Sequence, residues 1–361
     1  MFKKVILFTV FSTLLLVLIV ALAACGASSG VSQNQPQNEV VMKASTDDTY
    51  QKTSQNKSQR KIVWETVDGS TPDEDCQELL THRFSLLPAQ LVAVEKRSLA
   101  LSAFPSVRLE GGENDGVSIK GWDQSEIALK ACKLGAAIDR RQALEVLNQV
   151  SVVAQNGEIS TRGPGSSTGG RKQYWGVQFI LYVPKNLQLE LSTHNGDILL
   201  RNLEGGVSAR TENGGITLSQ CGQSNSSMDL HAQNGGISLS EVRGRIKART
   251  TNGGITLAQG SGEVKLQTEN GGINIRLPRG IWQGEGLEAK SGNGGLTLEV
   301  PSGFGSTIEA ETLARTSLEC LIPGCTTQDS DRDRRRVRIG DSSPLVRVST
   351  ANGDLRIVPA R

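Results

Sequence analysis

Three stretches decide the fold: Thr211-Glu212-Asn213-Gly214-Gly215-Ile216, Thr250-Thr251-Asn252-Gly253-Gly254-Ile255 and Thr268-Glu269-Asn270-Gly271-Gly272-Ile273. Each contains Asn-Gly-Gly-Ile, and tetrads of this kind or close variants begin at Asn195, Asn213, Asn234, Asn252, Asn270 and Asn293. The intervals between them are 18, 21, 18, 18 and 23 residues. A recurrence this short points to one supersecondary unit stacked on copies of itself. Outlying copies begin at Asn156 and Asn352.

Alignment on the Asn gives a core pattern. Six and four residues before it the chain is mostly apolar, as in Val207 and Ala209, Ile246 and Ala248, Val264 and Leu266. Two before it stands a small residue, Thr211, Thr250 or Thr268, and three after it Ile or Leu. The intervening positions are mostly polar. This period of two describes two half-buried strands joined by a corner. Asn and Gly tolerate positive φ, so the corner is expected to use left-handed backbone. Stacked coils would bring Asn195, Asn213, Asn234, Asn252, Asn270 and Asn293 into a ladder of side-chain amides at the ~4.8 Å rung spacing. The expected fold is all-β, a single-stranded parallel β-helix (β-solenoid) with coils of 18 residues. Crossover preference makes it right-handed.

Composition agrees with a repeat. Of 361 residues only 37% are hydrophobic and 4% aromatic, while 40 are glycine. Coils with many turn residues and few core residues account for this. The net charge of +2 gives no global field for nucleic acid, so no nucleic-acid partner is expected.

Lys3 and Lys4 precede an apolar run, Val5 to Ala24, that ends in Leu22-Ala23-Ala24-Cys25-Gly26. Such a segment reads as an export signal. A cysteine directly after Leu-Ala-Ala resembles the bacterial lipobox, which implies acylation of Cys25 and removal of residues 1–24; an uncleaved membrane anchor is the alternative reading. Either way the body is exported and held at a membrane. Gly26, where aspartate would imply inner-membrane retention, favours an outer membrane if one is present. Residues 25–60 read as a lipid anchor followed by a disordered polar tether.

Residues 61–149 read as an N-terminal capping β region. Phe84, Leu86 and Leu87, then Leu91, Val92 and Val94, suggest short strands around Pro88. Val117 to Asp123 and Ile127 to Ala131 alternate apolar and polar and suggest a strand pair. Asp139 to Val146 is the one helical run, with Asp139 as its N-cap. Residues 150–361 read as the β-helix, with a loop insertion near 301–344.

Gly121-Trp122-Asp123, the segment Val183-Pro184-Lys185-Asn186 and the serial Thr-x-Asn-Gly-Gly-Ile units together resemble the bacterial putative-adhesin β-helix family. The resemblance covers roughly residues 80–358. It implies a non-enzymatic extracytoplasmic solenoid.

Leaving out Cys25, the other cysteines are Cys76, Cys132, Cys221, Cys320 and Cys325. In an exported chain, Cys320–Cys325 and Cys76–Cys132 bridges are reasonable and would leave Cys221 free. His82, His194 and His231 lack ligand spacing, so no metal or other cofactor is expected. The run Asp329 to Arg336 reads as a solvated loop, with an anion or lipid-headgroup patch as its alternative.

No Gly-x-Ser-x-Gly set between a strand and a helix, as a nucleophile elbow requires, and no zincin helix or phosphate loop is present; scattered pairs such as Asp197 with Arg201 read as surface charges. Enzyme activity is therefore not expected; a polysaccharide-cleaving β-helix is the remote alternative. Three residues before each Asn runs an outward column that includes Arg210, His231, Arg249 and Lys290. It is the candidate face for an envelope or host glycan or protein. The competing readings are an ordinary polar outer face and a structural or regulatory envelope scaffold.

Overall fold

The computed structural model describes residues 38–44, 60–66, 76, 87–100, 106–165, 173–313, 315–328 and 334–360, all within the unit Pro36–Arg361. The leader 1–24, Cys25, Phe84, Leu86 and His82 lie outside the described residues.

The chain opens with β1 (Asn38–Ala44), β2 (Arg60–Thr66) and β3 (Ala89–Ala100). β1 pairs with both others, so part of the stretch expected as a tether is a strand. Next come β4 (Ser106–Glu110), β5 (Gly116–Trp122), β6 (Glu126–Ala137) and helix α1 (Arg140–Gln149). The amide of Gln142 donates to the Asp139 carboxylate at 2.8 Å, so Asp139 caps the helix. A hairpin of β7 (Ser151–Gln155) and β8 (Glu158–Arg162) leads to β9 (Gln173–Pro184).

The regular coils begin with β10 (Gln188–Thr193), β11 (Ile198–Arg201), β12 (Val207–Thr211) and β13 (Ile216–Ser219). They continue through β14 (Ser227–Ala232), β15 (Ile237–Thr250), β16 (Ile255–Thr268) and β17 (Ile273–Arg276). β18 (Gly286–Ser291) and β19 (Leu296–Val300) complete them. The last strands are β20 (Thr307–Leu313), β21 (Leu318–Cys320), β22 (Thr326–Gln328), β23 (Arg334–Ile339), β24 (Leu345–Thr350) and β25 (Leu355–Pro359).

The coils stack in parallel register. One face runs β10, β12, β14, the second half of β15, the second half of β16, then β18. The other runs β11, β13, the first halves of β15 and β16, then β17 and β19. Inside, Ile198, Ile216, Ile237, Ile255 and Ile273 lie rung upon rung, all buried. The opposing column alternates Leu191, Ala209, Leu230, Ala248, Leu266 and Ala289, so large side chains fill the room left by small ones. The result is a parallel β-helix.

At both ends the order of coils in space departs from their order in sequence. β4 and β5, which the sequence reading assigned to the cap, pair in parallel with β10 and β11 and form a rung of the solenoid. On their other side they pair in parallel with β8 and β9, so the earlier segment lies between two later ones. At the C-terminal end β24 and β25 pair with β18 and β19 below and with β20 and β21 above. Residues 301–344 are therefore not a loop insertion. β20 and β21 build the outermost coil, and the C-terminal strands β24 and β25 thread back beneath it.

Two local expectations are corrected. Asn156 is not a solenoid corner: β7 and β8 are antiparallel, and Asn156 (φ 51°) and Gly157 (φ 80°) make their hairpin turn. β5 and β6 are joined by a turn but do not pair, because β9 lies between them.

Each end carries antiparallel strands laid on the parallel rungs. An antiparallel sheet of β3, β6 and β9 covers the first coil, with α1 against β6 and a disulfide joining Cys76 to Cys132. Antiparallel β23, rich in arginine, covers β20 at the far end and carries β22 on its other edge. There Cys320 and Cys325 are also bridged.

Candidate functional site

The tetrad corner is the most regular feature of the molecule. Asn213 donates from Nδ2 to Oδ1 of Asn195 at 2.7 Å, Asn234 to Asn213 at 2.8 Å and Asn252 to Asn234 at 2.8 Å. Asn270 donates to Asn252 at 3.0 Å, Asn293 to Asn270 at 2.9 Å and Asn352 to Asn293 at 2.9 Å. The ladder reaches one residue that the tetrad search missed: Asn195 donates to Asn114 at 3.2 Å. Asn114 stands three residues before Val117, the same offset as Asn to Ile in every tetrad, and that offset was the available signal. Both ends are satisfied. Asn114 donates to the Trp175 carbonyl at 3.1 Å, and Arg315 donates to Oδ1 of Asn352 at 3.0 Å. All seven amide bonds point the same way, an arrangement in which each bond polarises the next.

The reason for the glycines differs from the expectation. Among the described residues, the non-glycines with positive φ are Asn156, Asn202, Gln220, Glu241 and Gln259, and no tetrad Gly of the stack is among the positive-φ glycines. The first Gly is required by close approach instead. A Cβ on Gly253 would lie 2.1 Å from the Gly235 carbonyl oxygen, and one on Gly271 2.1 Å from that of Gly253. At the second Gly the distances are 3.2 Å for Gly254 and 3.1 Å for Gly272, tight but not prohibitive. That position is Asp in two coils, where the carboxylate bonds to the adjacent coil: Asp197 accepts from the Gly215 amide at 2.6 Å and Asp354 from the Ser317 amide at 3.0 Å. The small residue before the corner also bonds across coils. Thr250 and Thr268 donate to the carbonyls of Gly235 and Gly253, each at 2.7 Å.

The residues that carried the family resemblance meet in space. Gly121 and Trp122 pair with Val183 and Pro184, and Lys185 reaches Asp123 at 2.6 Å. A Cβ on Gly121 would sit 1.9 Å from the Asn202 carbonyl oxygen. The Trp122 ring lies 5.6 Å from that of Tyr182.

On the outer face, Arg210, His231 and Arg249 occupy three consecutive rungs in register. All three are exposed, and among the described residues none has an ion pair or side-chain hydrogen bond. Lys247, beside them, is likewise exposed and unpaired. Lys290 is not contiguous with them: Gln267 intervenes, and Lys290 pairs with Glu288 at 2.5 Å. Three further cations on this face are neutralised. Arg245 and Lys265 share Glu263 at 2.8 and 2.6 Å, and Arg347 meets Glu309 at 2.9 Å.

Among the described residues, buried charge is confined to the N-terminal end. Glu95 lies between Arg97 and Lys133, the latter at 3.1 Å. Burial pushes the Glu95 carboxyl up, but Lys133 and Arg97 outweigh it and hold the group below its usual range. Asp115 accepts from Gly112, Thr161 and Val177 at 2.6, 2.6 and 2.7 Å, and burial still holds its carboxyl above the usual range. Free Cys221 is a core residue, its thiol pushed up by burial and 3.3 Å from the Ser219 carbonyl. His194 pairs with Glu212 at 2.8 Å, and Arg201 makes no ion pair with Asp197 among the described residues. Nor do three or more His, Cys, Asp or Glu gather there into a group that could hold a metal.

Comparison with solved structures finds a putative adhesin from Bacteroides fragilis, 11% identical with a TM-score of 0.31, covering 74% of this chain and 97% of that one. A putative cell adhesion protein from Clostridium sporogenes is 9% identical with a TM-score of 0.22, covering 74% and 99%. No curated protein matches. The Toastrack DUF4097 family matches residues 110–318, more than half of the chain, from the β4 rung to β21. The Asn-cornered coils occupy that span, and the chain belongs to the Toastrack DUF4097 family.

Proposed function

We propose that this chain is an exported, membrane-tethered binding protein whose outer β face takes an anionic polymer, such as an acidic envelope or host glycan. The observation that carries this is the row Arg210, His231 and Arg249 with Lys247 beside it: two guanidinium groups and an ammonium left without carboxylate partners among the described residues, while Arg245, Lys265 and Lys290 on the same face are paired. A flat parallel sheet repeats these groups at ~4.8 Å, a spacing that suits the serial charges of a polymer better than one small ligand. The bridges Cys76–Cys132 and Cys320–Cys325 support export to an oxidising compartment. Acyl chains on Cys25 would supply the membrane anchor, two or more being needed for stable residence.

The test is retention on immobilised heparin and on acidic cell-surface polysaccharide at rising salt. Arg210→Ala with Arg249→Ala lowers the eluting salt, and unchanged elution dismisses the polymer face. Labelling with an alkynyl fatty acid marks the wild-type chain and not Cys25→Ala; equal labelling of both dismisses the anchor.

A further inference from the structure

The two long intervals in the repeat have a structural consequence on the third side of the solenoid, where neither long β face lies. The 21-residue interval places its extra residues in the turn around Ser224–Ser227, and the 23-residue interval in the segment around Pro278–Glu285. Between them lie two coils of 18 residues, whose third-side segments around Arg243 and Ser261 are short. Two low coils between two raised ones make a trough. It appears as a cleft of about 500 Å³. A neighbouring hollow of about 520 Å³ shares Arg243, Ser261 and Gln283 with it.

Both walls are anchored. Ser226 accepts from the Gln223 amide at 2.9 Å and donates to the Glu204 carbonyl. Trp282 is buried over Gly260, donates its indole N–H to the Gly262 carbonyl at 3.0 Å, and donates its own amide to Ser306 at 2.9 Å. The cleft is thus formed before any ligand arrives, which reduces the ordering cost of binding.

Arg279 and Gln283 in the lining bond to each other, but its floor is unspent. Gln220, Glu241 and Gln259 stack on successive rungs, each turned outward by a left-handed backbone (φ 54–62°). Their side chains and that of Arg243 have no hydrogen bond or ion pair among the described residues. Ile281 adds an exposed apolar surface on the lip. Amides, a carboxylate and a guanidinium in alternation, with no dominant sign and one apolar wall, match vicinal hydroxyls on one side of a ligand and C–H groups on the other.

We infer that this cleft binds a short neutral oligosaccharide, at a site separate from the cationic face. The rungs from Gln220 to the lip span ~14 Å at ~4.8 Å each, the reach of a tri- or tetrasaccharide.

Calorimetric titration of the full-length protein with chitotetraose, maltotetraose and cellotetraose tests this. At least one sugar saturates, and both Ser261→Trp, which fills the trough, and the exposed pair Arg243→Ala with Gln259→Ala weaken it at least tenfold. Heparin retention is unchanged in these variants, whereas Arg210→Ala with Arg249→Ala alters heparin retention alone. No saturation by any of the sugars at millimolar concentration overturns the inference. So does affinity within twofold of wild type in the double variant, which keeps the test open if Ser261→Trp fails to fold. Saturation by tryptic casein peptides but by no sugar reassigns the cleft to protein ligands and equally overturns it.

Discussion

The tetrad corner and the third side of the same coil solve one problem, reversing the chain, in opposite ways. At the tetrad corner the coils close on each other: the first Gly leaves no room for a Cβ, the Asn ladder runs unbroken, and no tetrad Gly of the stack has positive φ. On the third side Gln220, Glu241 and Gln259 adopt left-handed backbone and the segments differ in length. A corner fixed by contacts between coils cannot lengthen without breaking every rung above it. A corner fixed by local backbone can, and there the molecule places its cleft.

The contrast is broken most directly at a corner glycine. Gly253→Ala would put a methyl 2.1 Å from a carbonyl oxygen, and a cost of about 4 kcal/mol in urea unfolding is expected, against less than about 1 kcal/mol for Gly254→Ala. Equal costs would show that both glycines serve the turn and not the stacking.

A second contrast separates the N-terminal end, which buries charge, from the coils, whose described charges lie on the surface. Glu95→Gln leaves Lys133 buried with a weaker partner and costs about 2 kcal/mol at neutral pH. Because the folded carboxyl sits below its usual range, its contribution is present above the unfolded pKa and is lost as pH falls through the folded one. Thermal unfolding scans across the acid range should therefore show the wild type losing its advantage over the variant. Asp115, held above its usual range, acts with the opposite sign and is common to both proteins, so the difference isolates Glu95.

Asn252→Ala removes two amide bonds from the ladder, to Asn234 and from Asn270, and is expected to cost about 1.5 kcal/mol, with hydrogen exchange rising at those coils. The smallest effect has the opposite sign. Glu241→Gly relieves a left-handed residue and stabilises by about 0.5 kcal/mol, once the extra chain entropy of glycine is subtracted. Destabilisation there would show that the third side too is held by contacts.

Much of this was legible in the sequence because it is local. The interval, the alternation and the small residue before each Asn placed the isoleucine and leucine–alanine columns, since side-chain period follows directly from strand geometry. The outward column holding Arg210, His231 and Arg249 followed from the same count. The separation of Lys290 from it did not, because pairing with Glu288 depends on rotamers across neighbouring positions. Asn114 was missed because Asp115-Gly116 replaces Gly-Gly beside it.

The sequence by itself determined the coil: its period, its core, its corner residues and the six central Asn of the ladder. Only the tertiary structure decided the order of coils at the ends, the reason for each glycine and the existence of the cleft. A parallel rung offers the same hydrogen-bonding edge to any other parallel rung, so nothing local tells β24 to settle beneath β20 or β4 to enter between β8 and β10. Close approach and grooves are likewise properties of two coils at once, and a single repeat does not contain them.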